Sequence, residues 1–181
     1  MESRSITLIL GGVSSGKSRY AQELASRADE VVFLATAQSC DDEMRAKIAR
    51  HIRERPPSWK TVEVPFELDQ AIIEHGSLAS FLIVDCLTTF TANWLMVKQA
   101  SRESIFSRME AVGSALLSSP ASVAIVSNEV GGGIVPQSAS GREFREILGQ
   151  VNQKIARICD NVVLMVAGLP VAVKGTAEAH L

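Results

Sequence analysis

Eight consecutive residues near the N-terminus have the composition of a phosphate-binding loop. Residues 11–18 read GGVSSGKS and fit the pattern G-x-x-x-x-G-K-[S/T] without a mismatch. The glycines allow tight turns that aim backbone N–H groups at phosphate oxygens, Lys17 adds a positive charge, and the Ser18 hydroxyl suits Mg²⁺. The run predicts nucleotide binding through Gly11, Gly12, Val13, Ser14, Ser15, Gly16, Lys17 and Ser18, with Lys17 also a catalytic candidate.

The residues on either side of this loop support the prediction. Residues 6–10 form an apolar run typical of a buried strand, and residues 18–28 have the pattern of a helix. A strand, a glycine-rich loop and a helix in this order place the phosphates at a helix N-terminus, where the dipole favours anions. The alternative is an ordinary glycine-rich turn with an exposed lysine. The loop does not by itself decide which reaction follows nucleotide binding.

A second candidate group is the carboxylate of Asp85, at the end of the apolar run Phe81–Asp85. An acidic residue at the carboxyl end of a buried strand is typical of a Walker B element, which helps to hold Mg²⁺ opposite the phosphate-binding loop. The alternative is an aspartate that caps the following helix. We therefore predict Ser18 and Asp85 as the protein ligands of a nucleotide-bound Mg²⁺.

A polar, glycine-rich loop follows the apolar run at residues 123–127. Asn128 and Glu129 come first in this loop, ahead of three consecutive glycines. Loops at the carboxyl ends of parallel strands line the ligand crevice of an open α/β sheet, which makes these two side chains candidates for chemistry. The alternative is a flexible loop whose glycines only permit turns.

Histidine is the remaining candidate nucleophile, and the chain has three: His51, His75 and His180. His51 flanks the apolar stripe of a helix predicted over residues 42–54, among basic residues that could attract a polyphosphate. A neutral imidazole is a competent nucleophile toward phosphorus. The alternative is an ordinary, partly exposed helix residue. His75 lies at a predicted helix end, where a cation meets the helix dipole, and His180 is next to the C-terminus.

The elements that must position these residues alternate between strands and helices. Strands are predicted at residues 6–10, 30–35, 61–64, 81–85, 123–127, 161–167 and 170–174, and helices at residues 18–28, 42–54, 66–74, 87–98, 103–117 and 140–158. This alternation predicts an α/β fold, with a mostly parallel sheet flanked by helices on both faces. Residues 1–181 are expected to form a single nucleotide-binding domain, a P-loop NTPase of RecA-like type.

Composition narrows the classes of partner and compartment. The net charge of -2 offers no general attraction to nucleic acid, so we expect small-molecule substrates and no nucleic-acid partner. No apolar run reaches the roughly 18 residues of a membrane-spanning helix, and residues 1–4 leave no room for a signal peptide before the first strand. Three widely spaced cysteines suit a reducing compartment. We expect a cytoplasmic protein.

Beyond these local patterns, an ordered set of residues across nearly the whole chain resembles the bifunctional adenosylcobinamide kinase / adenosylcobinamide-phosphate guanylyltransferase family of cobalamin biosynthesis. In the first half the matching residues are Phe33, Leu34, Ala35, Thr36, Ala37, Asp42, Glu43, Met44, Ile48, His51, Arg55, Pro56, Trp59, Thr61 and Glu63. In the second half they are Val84, Asp85, Cys86, Leu87, Thr88, Asn93, Asn128, Glu129, Val130, Gly131, Gly133, Ile134, Val135, Pro136, Arg142, Phe144, Arg145, Gly149, Asn152 and Gln153.

The resemblance implies two reactions on one chain. The first transfers the γ-phosphoryl group of ATP or GTP to the aminopropanol hydroxyl of adenosylcobinamide. In the second, a histidine attacks the α-phosphorus of GTP and carries GMP to adenosylcobinamide phosphate, which gives adenosylcobinamide-GDP. The resemblance assigns the guanylylated position to His51 and places Thr36, Ala37, Glu63 and Asp85 at the nucleotide site. It also implies a homotrimer, for which the apolar helices between residues 87 and 117 are candidate interfaces; the alternative is that they only cover the sheet.

One position departs from the family pattern. Ser14 stands inside the loop where the family commonly has arginine, so a charge that would assist triphosphate binding is missing. The guanine preference also rests on the resemblance, because the chain has no N-K-x-D sequence. Two alternative functions stay open at this point: a P-loop small-molecule kinase without a covalent step, and a nucleotide-sensing regulator without catalysis.

Overall fold

A computed structural model describes residues 4–38 and 55–177, which contain seven strands and five α-helices. The strands are β1 (Ile6–Gly11), β2 (Val31–Ala35), β3 (Lys60–Glu63), β4 (Phe81–Asp85), β5 (Ser122–Val126), β6 (Asn161–Val166) and β7 (Leu169–Lys174). The helices are α1 (Lys17–Ala25), α2 (Leu68–Gly76), α3 (Leu87–Ala92), α4 (Arg102–Ser118) and α5 (Ala139–Ile158). The helix predicted over residues 42–54 lies outside the described residues.

All seven strands join one sheet in the order β3-β2-β4-β5-β1-β6-β7. Every neighbouring pair is parallel except β6 and β7, which form an antiparallel hairpin at one edge. The prediction of a mostly parallel α/β sheet is therefore confirmed. Strand β5 lies between β1 and β4, so the two strands that end in the phosphate-binding loop and in Asp85 are close but not adjacent.

Helices cover both faces of the sheet, which explains why the strands are nearly continuous apolar runs. Along β1, Leu8 packs into the core on one face and Ile9 into the core on the other. The side chains of α1 pack on the second face, through Tyr20 and Ala21. The apolar side chains of α2, α4 and α5 pack on the first face, which we call the α5 face.

Two of the predicted helices differ from the structure in informative ways. The helix predicted over residues 87–98 is α3 followed by a π-helical turn, Asn93–Val97, in which Lys98 N donates to Asn93 O at 3.1 Å. Helix α1 ends at Ala25, three residues early, where the Ser26 hydroxyl donates to the backbone carbonyl of Glu23. Serine side chains that bond nearby backbone groups compete with helix continuation.

Most of the apolar residues of α4 belong to the protein's own core, although Leu117 is 55% exposed. Ile105, Met109, Val112 and Leu116 are at most 1% exposed and pack against the sheet. These side chains therefore cover the sheet and are not available to a partner subunit. No helix within residues 4–38 and 55–177 is both long and apolar enough to cross a membrane.

Candidate functional site

The phosphate-binding loop connects β1 to α1 at the carboxyl edge of the sheet, and two of its glycines are required by geometry. Gly11 has φ +151° and Gly16 has φ +98°. A Cβ on Gly11 would lie 2.6 Å from Oγ of Ser15 and 2.7 Å from the carbonyl oxygen of Met165, and a Cβ on Gly16 would lie 3.2 Å from Cα of Gly168. Other residues are strained at both positions.

Three further loop residues differ from Gly11 and Gly16. Gly12 has open space around it and no positive φ, so the turn itself does not require glycine there. Ser14 takes the left-handed conformation, φ 58°, and its side chain faces solvent. The side chain of Val13 is 82% exposed.

Lys17, the first residue of α1, is only 8% exposed. Its ammonium group donates a hydrogen bond to the carbonyl of Gly12, and Nζ lies 3.5 Å from Oγ of Ser15. Burial lowers the pKa of Lys17, while the nearby Cys86 and Asp85 act in the opposite direction. The ammonium group of Lys17 is therefore placed to exchange its hydrogen bond to the Gly12 carbonyl for hydrogen bonds to phosphate oxygens.

The next residue of α1 joins the loop to β4. Oγ of Ser18 donates a hydrogen bond of 3.0 Å to Oδ2 of Asp85. Asp85 pairs in register with Val126 of β5, and Val126 is buried on the face of the sheet that α1 covers. The side chain of Asp85 therefore leaves the sheet on the same face and reaches α1. The hydroxyl and carboxylate are hard oxygen donors of the kind Mg²⁺ accepts, and few protein ligands suffice when phosphates and water supply the others. The pair therefore fits a nucleotide-bound Mg²⁺.

Glu63 lies in the same transverse row of the sheet as Asp85. Ala35 is the register partner of Glu63 on one side and of Asp85 on the other, so all three side chains leave the sheet on the α1 face. Two strand spacings separate the acidic residues, about 10 Å. The structure thus brings together Lys17, Ser18 and Asp85, with Glu63 at the outer end of the row.

Thr36 bonds the backbone that follows Asp85, and its contact with nucleotide stays a prediction. It is fully buried, and its hydroxyl donates to the backbone carbonyl of Cys86 at 2.7 Å while accepting from the backbone N–H of Cys86 at 2.8 Å. The side chain of Asn93 donates to the Thr36 carbonyl at 2.8 Å. These bonds fix the backbone immediately after Asp85. Ala37, the residue after Thr36, is half-buried.

Arg55 also lies at this site; the sequence named it only as a basic residue near His51 and as part of the family pattern, without a role of its own. Its guanidinium lies 3.5 Å from the ring centroid of Phe33 and donates to Oγ1 of Thr61 at 3.2 Å. Burial lowers its pKa, and Asp85 acts in the opposite direction. Phe33 faces α1, so Arg55 adds a positive charge to the side of the sheet that carries Asp85.

A buried polar network, which the sequence did not reveal, supports the loop after β5. Asn152 of α5 accepts from the Ser127 hydroxyl at 2.7 Å and donates to the Asn128 carbonyl at 3.0 Å. The hydroxyl of Thr88 accepts from the backbone N–H of Asn128 at 2.7 Å. Glu129 N then donates to the carbonyl of Gly11 at 3.1 Å, which places this loop directly against the phosphate-binding loop.

Asn128 and Glu129 both lie at the carboxyl edge, as predicted, but the Glu129 side chain is engaged locally. Its Oε1 accepts from the backbone N–H of Gly131 at 2.7 Å. Farther along, the loop and α5 border an open groove of about 430 Å³. None of residues 11–18 lines this groove.

The histidines contribute little to the described site. His51 and His180 lie outside the described residues, so the assignment of a nucleophile stays a prediction. His75 lies in the last turn of α2, near the helix end as predicted, but it is 5% exposed and its Nδ1 has no hydrogen-bond partner among residues 4–38 and 55–177. Its Nε2 is 3.9 Å from the carboxylate of Glu74.

Comparison with known proteins gives a family match over most of the chain. The family model described as cobinamide kinase / cobinamide phosphate guanyltransferase matches residues 7–173. The bifunctional adenosylcobalamin biosynthesis protein CobU of Escherichia coli (strain K12) is 38% identical over 178 residues, covering 92% of this chain and 98% of the relative. CobP of Pseudomonas aeruginosa (strain PAO1), named in the same way, is 39% identical over 169 residues, covering 93% and 96%.

Solved structures show the fold alone. An ATPase from a bacterial type III secretion system is 11% identical with a TM-score of 0.57, and it matches 93% of this chain and 56% of its own. The assembled ATPase EscN from enteropathogenic E. coli is 14% identical with a TM-score of 0.59, covering 91% and 43%. This chain spans about half the length of those two. Their likeness confirms the RecA-like P-loop NTPase fold.

Proposed function

The chain belongs to the cobinamide kinase / cobinamide phosphate guanyltransferase family, and from that premise we propose how its residues carry the two activities. It is a bifunctional enzyme of cobalamin biosynthesis: it phosphorylates adenosylcobinamide and then transfers GMP to the phosphorylated product. The observation that carries the kinase half is the hydrogen bond between Ser18 and Asp85, with the Lys17 ammonium on the adjoining turn of the loop.

In the kinase step, the aminopropanol hydroxyl of adenosylcobinamide attacks the γ-phosphorus of ATP or GTP. A bond forms between that oxygen and phosphorus, the bond to the β-phosphate oxygen breaks, the nucleoside diphosphate leaves, and the hydroxyl proton passes to solvent. Little covalent work is required of the protein, so positioning and charge neutralisation dominate. The backbone N–H groups of the loop and Lys17 orient the triphosphate. Mg²⁺, held by Ser18 and Asp85, would neutralise charge on the β- and γ-phosphate oxygens.

In the guanylyltransferase step, we propose His51 as the nucleophile. A nitrogen of its imidazole attacks the α-phosphorus of GTP, a P–N bond forms, and pyrophosphate leaves. A phosphate oxygen of adenosylcobinamide phosphate then attacks the same phosphorus, the P–N bond breaks, and the histidine is regenerated neutral. Splitting one nucleotidyl transfer into two displacements requires such a nucleophile. Support for His51 comes from its place in the family pattern.

Radiolabelled nucleotide separates the two halves of this proposal. With α-labelled GTP and Mg²⁺, we expect an acid-labile, alkali-stable label on the denatured wild-type protein and on a His180→Ala control, but none on His51→Ala. Persistent labelling of His51→Ala would contradict the nucleophile. A wild-type protein that phosphorylates the corrinoid yet never labels would be a kinase without a covalent step. One that binds nucleotide but yields no phosphorylated corrinoid would be a regulator.

We further propose that residues 1–181 act as one domain, in a homotrimer, in the cytoplasm. The β7 edge supports an interface, because Leu169, Val171 and Val173 are roughly half exposed or more on a strand whose outer edge has no partner strand among residues 4–38 and 55–177. The free thiols Cys86 and Cys159 suit a reducing compartment. Sedimentation equilibrium tests the trimer: Val171→Lys should dissociate it, and a wild-type mass equal to one chain would contradict it.

A further inference from the structure

Asn93 takes no part in the steps described above, yet its side chain is buried at the carboxyl edge of the sheet. It is 6% exposed and begins the π-helical turn Asn93–Val97. Its Nδ2 donates to the backbone carbonyl of Thr36 at 2.8 Å and to that of Pro65 at 3.1 Å. One amide group therefore joins the segment that follows β2 to the segment that follows β3. Single π-helical turns occur frequently at functional sites.

The place of these two carbonyls explains why a primary amide lies between them. Ala35 and Glu63 are the last paired residues of β2 and β3, so the carbonyls of Thr36 and Pro65 lie beyond the end of the ladder. No backbone N–H within residues 4–38 and 55–177 donates to either carbonyl. A buried carbonyl without a donor destabilises the folded state, and the NH₂ group of Asn93 has one N–H for each.

A second set of bonds connects Thr36 to the carboxylate of the proposed metal site. The backbone N–H of Thr36 donates to the backbone carbonyl of Asp85 at 3.0 Å, and the Thr36 hydroxyl accepts from the backbone N–H of Cys86 at 2.8 Å. The Asp85 carboxylate in turn accepts the 3.0 Å bond from Ser18. Thr36 is therefore the one residue between the Asn93 amide and the backbone of Asp85.

The residue after Asn93 holds the segment after β3 in place. The rings of Trp94 and Phe66 meet edge to face, with 5.7 Å between their centroids. Phe66 follows Pro65, so a hydrogen bond and a ring contact fix two consecutive residues of this segment. Glu63, at the outer end of the acidic row, lies two residues earlier. The turn thus fixes the chain beyond both acidic residues.

We propose that Asn93 is a positioning residue for the kinase step. It holds the backbone at Asp85 so that the carboxylate and the Ser18 hydroxyl can bind one divalent cation together. The inference rests on the proposed function, which assigns Ser18 and Asp85 to Mg²⁺. Residues that orient metal ligands through the surrounding hydrogen bonds contribute about 10- to 100-fold to metal affinity. Nucleotide binding without metal depends on the loop at residues 11–18 and does not require Asn93.

The test measures the affinity of the full-length protein–ADP complex for Mn²⁺, a paramagnetic substitute for Mg²⁺, by electron paramagnetic resonance. In Asn93→Ala we expect the dissociation constant for Mn²⁺ to rise about tenfold, while the affinity for ADP alone stays at the wild-type value. Asn93→Gln keeps the NH₂ group on a longer side chain, so its dissociation constant should rise less. This variant also gives the result if Asn93→Ala does not fold.

The matched control is Asn161→Ala. Asn161 begins β6 at the opposite edge of the sheet, where its amide donates to Oγ1 of Thr7 at 3.3 Å and accepts from the backbone N–H of Thr176 at 2.9 Å. Its loss removes a comparable pair of bonds far from Asp85, so the dissociation constant for Mn²⁺ should not change. Partial unfolding lowers the amount of Mn²⁺ bound and the kinase rate, but it leaves the dissociation constant of the folded molecules unchanged.

The possible outcomes separate this inference from the proposed function. Wild-type Mn²⁺ affinity in the folded Asn93 variants would overturn the positioning role and leave the proposed function intact. Equal weakening in Asn161→Ala would assign the effect to a general loss of stability and overturn it as well. A wild-type complex with ADP that binds no Mn²⁺ would overturn the metal role of Ser18 and Asp85, and the inference with it. A wild-type protein that binds Mn²⁺ but does not phosphorylate adenosylcobinamide would overturn the proposed function alone.

Discussion

Oγ of Ser18 donates a 3.0 Å hydrogen bond to Oδ2 of Asp85, across 67 residues of chain. Ser18 lies in the first turn of α1, which follows β1, and Asp85 ends β4, which is two positions from β1 in the sheet. The bond holds a hydroxyl and a carboxylate at the spacing at which both can bind one small divalent cation. A joint role of Ser18 and Asp85 in binding a cation depends on this contact.

The first prediction concerns the charge of Asp85. Asp85→Asn keeps an acceptor for the Ser18 hydroxyl but removes the negative charge, so we expect the kinase rate constant to fall on the order of 100-fold. The Mg²⁺ concentration for half-maximal rate should rise at the same time. A titration of kinase rate against Mg²⁺ measures both, with the exposed Asp29→Asn as control. An unchanged Mg²⁺ requirement would contradict the metal role.

The second prediction is a pH dependence of nucleotide capture. Burial lowers the pKa of Lys17 from its usual 10.5, so the ammonium loses its proton at a lower pH than a free lysine does. Because phosphate binding needs the protonated form, kcat/KM for nucleotide should fall on the alkaline side with a midpoint below 10.5.

A pH profile at subsaturating nucleotide measures this midpoint. Lys17→Met should have a much lower kcat/KM and should lack the Lys17-dependent fall. An alkaline fall that persists unchanged in Lys17→Met would assign that titration to another group.

The third prediction concerns the buried support of the loop after β5. Asn152→Ala leaves the Ser127 hydroxyl and the Asn128 carbonyl without their partner, and Asn152 is only 5% exposed. We expect the free energy of unfolding to decrease by about 2 kcal/mol, because a buried polar group that loses its hydrogen-bond partner destabilises the folded state by about that amount.

Urea denaturation measures that loss, and a double-mutant cycle with Ser127→Ala isolates the direct bond. Since the two side chains touch, their effects should couple by at least about 0.5 kcal/mol. Strictly additive effects would mean that the bond between them contributes nothing. The kinase rate constant should also decrease, because the same network sets the position of the loop beside Gly11.

The fourth prediction addresses the departure from the family pattern. Ser14 is solvent-facing and already in the left-handed conformation, so Ser14→Arg needs no new space. A cation there should strengthen triphosphate binding by about 1 kcal/mol, roughly a fivefold lower nucleotide KM at low salt, and less as salt increases. Ser14→Gln supplies similar length without charge and should keep the wild-type KM. Equal effects of the two substitutions would exclude an electrostatic cause.

Much of the fold followed from local patterns. The glycine spacing of residues 11–18, the apolar runs of the strands and the helical periodicities predicted all seven strands and the parallel sheet. The predicted ends of helices were less accurate. Helix α1, for example, stops at Ala25 because the Ser26 hydroxyl bonds a backbone carbonyl of the preceding turn. Local pattern is informative where hydrophobic periodicity and backbone preference act over a few residues.

The chemistry of the loop and the likeness to one family were determined by the sequence alone, since they depend on residue types in order along the chain. The tertiary structure decided which distant groups meet. Sheet order brings Asp85 to Ser18, places Arg55 on Phe33, and joins Asn152 to Ser127. It also commits Thr36 to the backbone of Cys86. Strand order and helix packing depend on long-range burial, which periodicity along the chain does not encode.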